Sequence, residues 1–582
     1  MTPSGIAASL RSRPTEWFLG TAVALVVVGA LVALPDLVDT IFGFSDSIVP
    51  VGLAEETLQN SGPHGTGITG DHPWFIGFWA VLVLLWTGLP AGIVVALPAV
   101  MWLVMTLGVA RYWYRADGLL AALVAAALLL GLGRSAWEAV GAWDSHSGTI
   151  FLGAAAVALL RGTSRPDRSE RRTTLLAGLA GAAGGLAAHS DALALLSIVV
   201  PAALALLAVR APVRRLAAAA AGLLVGYGAS AVLAAISDLQ GAQFDLFLRG
   251  APIDGVGALY NAGSFVWSDP RVFTDPVGGA NTLLVLAFGA GWLVVVVAVV
   301  AAVLALRSSW APPVGLRRTG TATLADGSQV TGGREGRLTA DPAAGRPVDR
   351  VWVVFWSTAL VLLPLSFVAS SASGQGDVFT AANGRYLLPW WVAVAALVPL
   401  ALRVGPRPLR HLAVGLAVVL LCVGGGRLVR NAGQSLVKSG ATAYAVDVKG
   451  WWADNLQRAA ERNGATHGYS GYWTATPLGA GRDVPVYPVM TCGAAPAPQM
   501  CASRIASRPS MYRRNRGASF VVLDQREGAP PHAVTTTEGI PGRPFAREPI
   551  APGLTAVFYR EDIGRVVAPY PEQQTTQNGR SR

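Results

Sequence analysis

The sequence predicts an all-α polytopic membrane bundle of about 11 transmembrane helices, or about 13, followed by a small α/β domain. Of its 582 residues, 14% are charged and 52% are hydrophobic, whereas soluble domains carry about a quarter charged residues. Apolar runs of about 20 residues, each long enough to cross a hydrocarbon core, recur along most of the chain. After these runs, short apolar stretches separated by turn residues indicate strands of a domain outside the membrane.

The apolar runs and the arginine blocks between them predict the topology. The runs lie at about 17–35, 74–88, 89–110, 118–137, 147–161, 173–188, 190–209, 213–236, 279–306, 351–370, 385–402 and 410–429. By the positive-inside rule, the arginine-bearing segments are cytoplasmic; these are 1–16, 161–172, 210–215, 307–350 and 403–410. This scheme requires an odd number of crossings, so one of the runs between residues 74 and 161 must be re-entrant, or two of them must form one helix. The preferred place is the pair of short runs on either side of Pro90.

Domain boundaries follow from this topology. We expect a cytoplasmic N-terminus (1–16), a transmembrane domain (17–429), an extracytoplasmic α/β domain (430–565) and a disordered tail (566–582). Within the transmembrane domain, loops 36–73 and 237–278 are expected outside, and 307–350 is expected to be a flexible cytoplasmic linker. The chain is therefore predicted to be a multi-pass protein of the inner (plasma) membrane.

The polar C-terminal region has a mixed pattern. "WWADNLQRAAERNG" predicts a helix, and the strands are predicted in "HGYSGYWTATPLG", "DVPVYPV", "GASFVVLD" and "TAVFYRED". Cys492 and Cys501 lie close together there and are candidates for a disulfide if the region is extracytoplasmic. Cys422 lies in an apolar run, where a small hydrophobic residue is the simple interpretation.

The first loop is acidic and contains no Lys or Arg between residues 43 and 74. Its candidate functional residues are Asp46, Glu55, Glu56, Asp71 and His72. Carboxylates at a lipid–water boundary activate an acceptor hydroxyl or hold a divalent cation beside a phosphate leaving group. The alternative is that acidic residues outside simply follow the topology bias.

A short helix is expected within this loop, in "IVPVGLAEETLQ". Its apolar residues Ile48, Val51, Leu53 and Leu58 are expected to lie on the membrane surface.

Two further polar sets lie between apolar runs. In "RSAWEAVGAWDSHSG" the titratable residues are Glu138, Asp144 and His146, of which Asp144 is the preferred candidate. The tryptophans beside them are also consistent with interfacial anchors. The hairpin "GLAAHSDALALL" carries His189 and Asp191, which face a cavity or partner at such depth or form a satisfied structural turn.

Arg385 opens a late apolar run, "GRYLLPWW". A guanidinium just inside an apolar helix, at the outer side of the membrane, is placed to bind a lipid phosphate through two hydrogen bonds. The alternative is an arginine that snorkels to the interface. Tyr386, Trp390 and Trp391 are expected either to line a lipid groove or to belong to an aromatic belt. The aromatic residues of loop 237–278 suggest a lid over the first loop.

These features together resemble the GT-C superfamily of membrane glycosyltransferases that use polyprenyl-phosphate sugars, such as protein O-mannosyltransferases and the lipid A aminoarabinose transferase. The resemblance rests on one helix leading to a long loop with Asp46 near its start and "GDHPW" at its end, and on "GRYLLPWW" opening a late helix. The C-terminal domain after the last helix is similar to domains attached to such proteins in actinobacteria. Many of these enzymes have Asp-Glu in the first loop, whereas here Ser47 follows Asp46.

The resemblance implies roles for particular residues. Asp46 would be the catalytic base or a metal-site carboxylate, Asp144 a second acidic residue, and Arg385 a contact to the lipid phosphate. Substrate-binding candidates are Arg385, Tyr386, His72, Asp71, Glu55, Glu56 and Asp191. The one candidate cofactor is a divalent cation, Mg²⁺ or Mn²⁺, with its ligands unassigned.

The implied function is transfer of a hexosyl or pentosyl group from a polyprenyl-phosphate carrier to an extracytoplasmic cell-wall glycan, glycolipid or protein. Neither a Walker A motif nor a nucleophile elbow is present in a credible context. The net charge of +11 lies in short arginine blocks, which argues against nucleic-acid binding. Two alternatives stay open: a non-catalytic envelope-assembly scaffold of the same fold, and a transporter or flippase of a lipid-linked intermediate.

Overall fold

The computed structural model shows a helical bundle followed by an α/β domain. It describes residues 14–34, 45–60, 75–143, 145–165, 167–236, 252–267, 282–310, 349–369, 383–429, 446–479, 482–492, 499–503, 509–512, 517–526, 533–540 and 542–567. The helices of the bundle are α1 (Pro14–Val32), α2 (Ser45–Asn60), α3 (Phe75–Trp86), α4 (Ala91–Asp117), α5 (Leu119–Leu130), α6 (Arg134–Val140), α7 (Ser145–Thr163), α8 (Glu170–Ser190), α9 (Leu195–Ala208), α10 (Val213–Ile236), α11 (Pro252–Trp267), α12 (Thr282–Trp310), α13 (Arg350–Ala369), α14 (Leu388–Leu397), α15 (Leu400–Val404) and α16 (Arg407–Leu420).

The prediction of a polytopic helical membrane domain is confirmed. Within the described residues, 7 helical segments are long and apolar enough to cross a membrane. They are Pro14–Val32, Ala91–Asp117, Val213–Ala235, Thr282–Ser309, Arg350–Ala369, Gly384–Val404 and Arg407–Val429. Shorter apolar helices lie between them, and every predicted apolar run contains a helix.

Ion pairs connect the ends of several helices at one end of the bundle. We call this end the arginine end. The Arg161 Nε lies 2.7 Å from the Asp349 Oδ2, and the Arg403 Nη1 lies 3.2 Å from the Asp117 Oδ1. Arg215 donates to the Thr163 carbonyl at 2.9 Å. These contacts join the ends of α4, α7 and α15 to the starts of α10 and α13.

The opposite end is the hairpin end, defined by the turn between α8 and α9 and by the start of α14. The C-terminal ends of α1 and of the last span also meet, because a Cβ on Gly29 would lie 2.7 Å from the Val429 side chain. The last span begins beside the arginine end, so its far end reaches the hairpin end. The C-terminal ends of α1 and of the last span therefore lie at the same end of the bundle.

Helix α3 is too short to cross a membrane. Its 12 residues span about 18 Å, whereas a hydrocarbon core is about 30 Å thick. Phe78 and Val81 are buried in one cluster with Val94, near the start of α4. The chain breaks at Pro90, and α4 then runs for 27 residues to the arginine end, so one short helix, α3, lies in the stretch where the sequence predicts a re-entrant segment.

Tryptophans hold the buried helix α14 in the centre of the bundle. The Trp390 indole N–H donates to the Leu360 carbonyl at 3.0 Å, and that of Trp391 donates to the Leu128 carbonyl at 3.0 Å. Both side chains are almost fully buried. The expectation that they line a lipid groove or an aromatic belt is wrong, because their N–H groups are satisfied inside the protein.

Part of loop 237–278 also belongs to the core. Residues Pro252–Trp267 form α11, in which Phe265 and Trp267 are buried. Trp267 contacts Trp292 and Trp391, each with ring centroids 5.3 Å apart. In the described part, this segment is thus a bundle helix rather than a lid; Phe244, Phe247 and Phe273 lie outside the described residues.

The C-terminal domain is a six-stranded mixed sheet with flanking helices α17 (Val446–Arg462), α18 (Tyr472–Gly479) and α19 (Pro509–Tyr512). The strands are β1 (His467–Gly471), β2 (Val486–Cys492), β3 (Gln499–Ala502), β4 (Ser519–Asp524), β5 (Ala546–Ala551) and β6 (Leu554–Tyr559), in the order β3-β2-β1-β4-β6-β5. Strand β1 pairs in parallel with β2 and β4, and the other pairs are antiparallel.

The predicted strand at 467–479 is only partly correct, because its second half is helix α18. A parallel pair such as β1 and β2 needs a crossover connection, and α18 lies within it. Cys501, on β3, is disulfide-bonded. Cys492 lies at the end of the neighbouring strand β2, with its side chain outside the described atoms, and Cys422 is a free cysteine.

The first-loop helix α2 packs inside the protein. Val51 and Leu53 are at most 2% exposed and belong to a cluster that includes Tyr469 and Tyr472 of the C-terminal domain. The expectation that these two residues lie on the membrane surface is wrong, because the C-terminal domain and α3 cover that face. Leu58 is 43% exposed, and the side chain of Ile48 is outside the described atoms.

Candidate functional site

The hairpin end brings together three segments that the sequence marks as polar: the start of α7, the turn after α8 and the turn before α14. Asp191 lies at the C-terminal cap of α8 and is 4% exposed. Its Oδ2 lies 2.9 Å from the His146 Nδ1 and accepts a hydrogen bond from the Thr149 hydroxyl at 2.9 Å. Its Oδ1 accepts the Leu193 N–H at 2.9 Å. The carboxylate thus joins α7 to the α8–α9 hairpin.

This arrangement follows from local sequence. His146 and Thr149 lie three residues apart in the first turns of α7, so both side chains face the same neighbour. Asp191 bonds the N–H two residues further on, as aspartates at turns commonly do. A buried carboxylate with these donors is satisfied, and its contact to the Nδ1 fixes the orientation of the His146 ring.

Tyr386 connects this pair to Arg385. The His146 and Tyr386 rings meet edge to face with centroids 4.6 Å apart. The Arg385 guanidinium carbon lies 5.4 Å from the centroid of the Tyr386 ring, within the range of a cation–π contact. A chain of contacts therefore runs from Asp191 through His146 and Tyr386 to a half-buried arginine.

Close packing fixes the backbone beside Arg385. Gly384 lies against α11, where a Cβ would be 2.5 Å from the Phe265 Cβ and 2.7 Å from the Ala262 carbonyl oxygen. Only glycine fits such an approach, so the 3₁₀ turn Asn383–Leu387 is held between α11 and the core helix α14.

His189 is part of a different contact. Its Nδ1 lies 2.8 Å from the Ser230 hydroxyl, and its ring meets Tyr227 edge to face. Both partners are on α10, so His189 joins α8 to α10, whereas the neighbouring Asp191 joins α8 to α7. Of the two hairpin residues, Asp191 is the one whose side chain bonds His146.

The other predicted site residues are described only in part. Asp46 and Glu56 lie on the backbone of α2, but their side chains are outside the described atoms. Glu55 is half-buried on the same helix. Asp71, His72 and Asp144 lie outside the described residues, so their roles remain predictions.

The described residues do not contain a divalent-cation site. They hold no group of three or more His, Cys, Asp or Glu side chains that could bind a metal ion. The buried carboxylate of Asp191 is already engaged by three donors. The expected Mg²⁺ or Mn²⁺ ion therefore has no assigned ligands among the described residues.

Comparisons with known proteins place one solved structure beside this chain. It is the crystal structure of ArnT from Cupriavidus metallidurans bound to undecaprenyl phosphate, with 16% sequence identity and a TM-score of 0.37, and the match covers 94% of this chain and 99% of that one. ArnT is an aminoarabinose transferase of the GT-C superfamily, to which the sequence motifs also show a resemblance. No protein-family model and no curated protein matches the chain.

Proposed function

We propose that the chain is an integral-membrane glycosyltransferase that transfers a sugar from a polyprenyl-phosphate carrier to an extracytoplasmic acceptor. The proposal is carried by the contact chain from Asp191 through His146 and Tyr386 to Arg385. These contacts hold the Arg385 guanidinium at the same end of the bundle as the acidic first loop and the C-terminal domain. The motif resemblance to GT-C enzymes supports the same reaction class.

Arg385 is proposed to bind the phosphate of the lipid carrier. A guanidinium binds phosphate with two parallel hydrogen bonds and stays charged at any physiological pH. Because the Tyr386 ring and the tight turn at Gly384 restrict the arginine, it is ready to stabilise the charge that forms on the departing phosphate. His146 and Asp191 act as positioning residues through Tyr386.

The proposed reaction is a direct displacement. The acceptor hydroxyl oxygen bonds to the anomeric carbon while the bond from that carbon to the phosphate oxygen breaks, and its electron pair leaves with the phosphate. A carboxylate takes the hydroxyl proton; Asp46 is the first choice and Asp144 the second. Such a displacement inverts the anomeric centre.

The hairpin end faces the extracytoplasmic side, as the arginine blocks predict. First-loop residues Glu55, Glu56, Asp71 and His72 contact the sugar or acceptor. The C-terminal domain recognises the acceptor, which is a cell-wall glycan, a glycolipid or a protein.

The test is substitution of Arg385, assayed in proteoliposomes with a panel of radiolabelled polyprenyl-phosphate sugars. Arg385→Gln is expected to reduce transfer by about 10²–10³-fold, the usual cost of removing a preorganised donor to developing charge. Arg385→Lys is expected to recover only part of the rate, because lysine lacks the two-pronged geometry.

Arg214→Gln is the matched control, because the Arg214 side chain is 78% exposed and pairs only loosely with Glu170 at 3.3 Å. Wild-type transfer by Arg385→Gln would contradict the proposal. Asp46→Asn addresses the alternatives: normal expression with unchanged transfer would remove Asp46 as the base, and no transfer by the wild-type protein with any donor would favour the scaffold.

A further inference from the structure

A lateral groove near the arginine end lies far from the candidate site. Its volume is about 380 Å³, within the range of about 300–1,000 Å³ that is typical of ligand sites. It lies between α4, α7 and α13 and is lined mainly by apolar side chains, among them Met101, Val104, Phe151 and Trp356. Val104 is 62% exposed, so the groove opens sideways, toward the position of the lipid chains.

Arg161 is the one charged residue among those that line the groove. Its guanidinium carbon lies 4.0 Å from the centroid of the Tyr112 ring, and its Nε donates to Asp349 at 2.7 Å. Among the described residues, neither terminal amino group of the Arg161 guanidinium has a hydrogen-bond acceptor. The side chain is 29% exposed, so these donors are accessible to a ligand in the groove.

We propose that this groove binds an anionic glycerophospholipid, with one acyl chain along α4 and the phosphate held by the terminal amino groups of Arg161. Basic pockets between transmembrane helices on the arginine-rich side suit anionic headgroups. Asp349 offsets part of the arginine charge, which favours a singly charged phosphodiester over a phosphate monoester with a charge of about −1.5 to −2.

This lipid is distinct from the sugar donor of the proposed reaction. His146 and Arg161 lie at opposite ends of α7, 15 residues apart, which separates them by about 22 Å along the helix axis. A phosphate at Arg161 therefore cannot reach the Arg385 region, and the bound phospholipid is a resident molecule that does not react.

Gly108 allows a test that leaves Arg161 unchanged. It lines the groove, and a Cβ placed on it would have nothing within 4 Å, so Gly108→Leu fills the space that the acyl chain would occupy. Gly92→Leu is the control, because Gly92 lies on the same helix, has equally open surroundings and does not line the groove. Neither change costs helix propensity, since both replace glycine.

The experiment uses the full chain, purified in mild detergent, with native mass spectrometry and lipid extraction to count bound lipids. We expect wild type and Gly92→Leu to retain phospholipid, and Gly108→Leu to retain at least fivefold less. After delipidation, phosphatidylglycerol should raise the melting temperature of the wild type and of Gly92→Leu more than phosphatidylcholine does, and should have little effect on Gly108→Leu. Equal retention by all three proteins, a wild type that retains no phospholipid, or undecaprenyl phosphate as the groove ligand would overturn the proposal.

Discussion

The buried carboxylate of Asp191 is predicted to stabilise the candidate site by joining α7 to the α8–α9 hairpin. Asp191→Ala leaves three donors without their acceptor: the His146 ring, the Thr149 hydroxyl and the Leu193 N–H. All three bonds are 2.9 Å long and lie in a buried region. Each buried donor left without a partner costs about 1–3 kcal/mol, so we expect a loss of at least about 3 kcal/mol in the free energy of unfolding.

The assay is thermal unfolding of the detergent-solubilised protein, followed by tryptophan fluorescence. A loss of about 3 kcal/mol corresponds to a decrease of at least about 2 °C in melting temperature for a chain of this size. Asp454→Ala is the control, because the Asp454 side chain is 52% exposed in its pair with Arg482 and exposed pairs contribute at most about 1 kcal/mol.

Asp191→Asn separates the hydrogen bonds from the charge. Its amide nitrogen is able to donate to both His146 and Thr149 if the histidine changes tautomer, so most of the stability should return. A melting temperature for Asp191→Ala within about 1 °C of wild type would refute the reasoning, because it would mean that the carboxylate does not join α7 to the hairpin.

Two further predictions concern packing and pH. Gly226→Ala should reduce the yield of monodisperse protein in size-exclusion chromatography, because the added Cβ would lie 2.2 Å from the Ala182 carbonyl oxygen. Gly228→Ala is the control and should not reduce the yield, because its Cβ would have nothing within 4 Å. Equal yields for the two variants would contradict the tight α8–α10 crossing. In the C-terminal domain, burial raises the pKa of Asp562, but hydrogen bonds from His467 and two other donors outweigh it and hold the pKa below its ordinary value. The stability from this carboxylate is therefore present above its unfolded pKa of about 3.9 and is lost as the pH falls below that value toward the folded pKa. Asp562→Asn should lower stability at pH 7 and flatten its dependence on pH in acid unfolding curves; an unchanged curve would contradict this assignment.

The helices were predictable because hydropathy is a local property. The residues of each apolar run alone determine its free energy of transfer into the membrane, whatever the run packs against. The break at Pro90 follows from the missing N–H of that residue. The position of Arg385 at the start of a late helix is also local.

The burial of individual apolar side chains was not predictable. Lipid and protein interior are both apolar, so Trp390 and Trp391 give the same sequence signal whether they face a bilayer or a core. The same ambiguity applies to Val51 and Leu53, because an apolar helix face has the same sequence pattern whether a membrane or a second domain covers it. Only the three-dimensional structure shows that the C-terminal domain covers α2.

The contacts of the candidate site are non-local, which is why the sequence suggested only its parts. Asp191 is 45 residues from His146, and Tyr386 comes from a helix much later in the chain. His146 lies in the same motif as Asp144, but the resemblance to GT-C enzymes favours Asp144, because such enzymes often carry a second acidic residue in this position. The available signal was the spacing of His146 and Thr149, which places two hydrogen-bonding side chains on one face of α7.

The central claim is that the hairpin end binds the phosphate of a polyprenyl carrier at Arg385. A cryo-electron microscopy structure of the full chain with undecaprenyl phosphate tests it most directly. The account predicts the lipid phosphate within hydrogen-bonding distance of the Arg385 guanidinium, beside the Tyr386 ring. A phosphate bound elsewhere, with the Arg385 side chain turned away from it, would contradict the account.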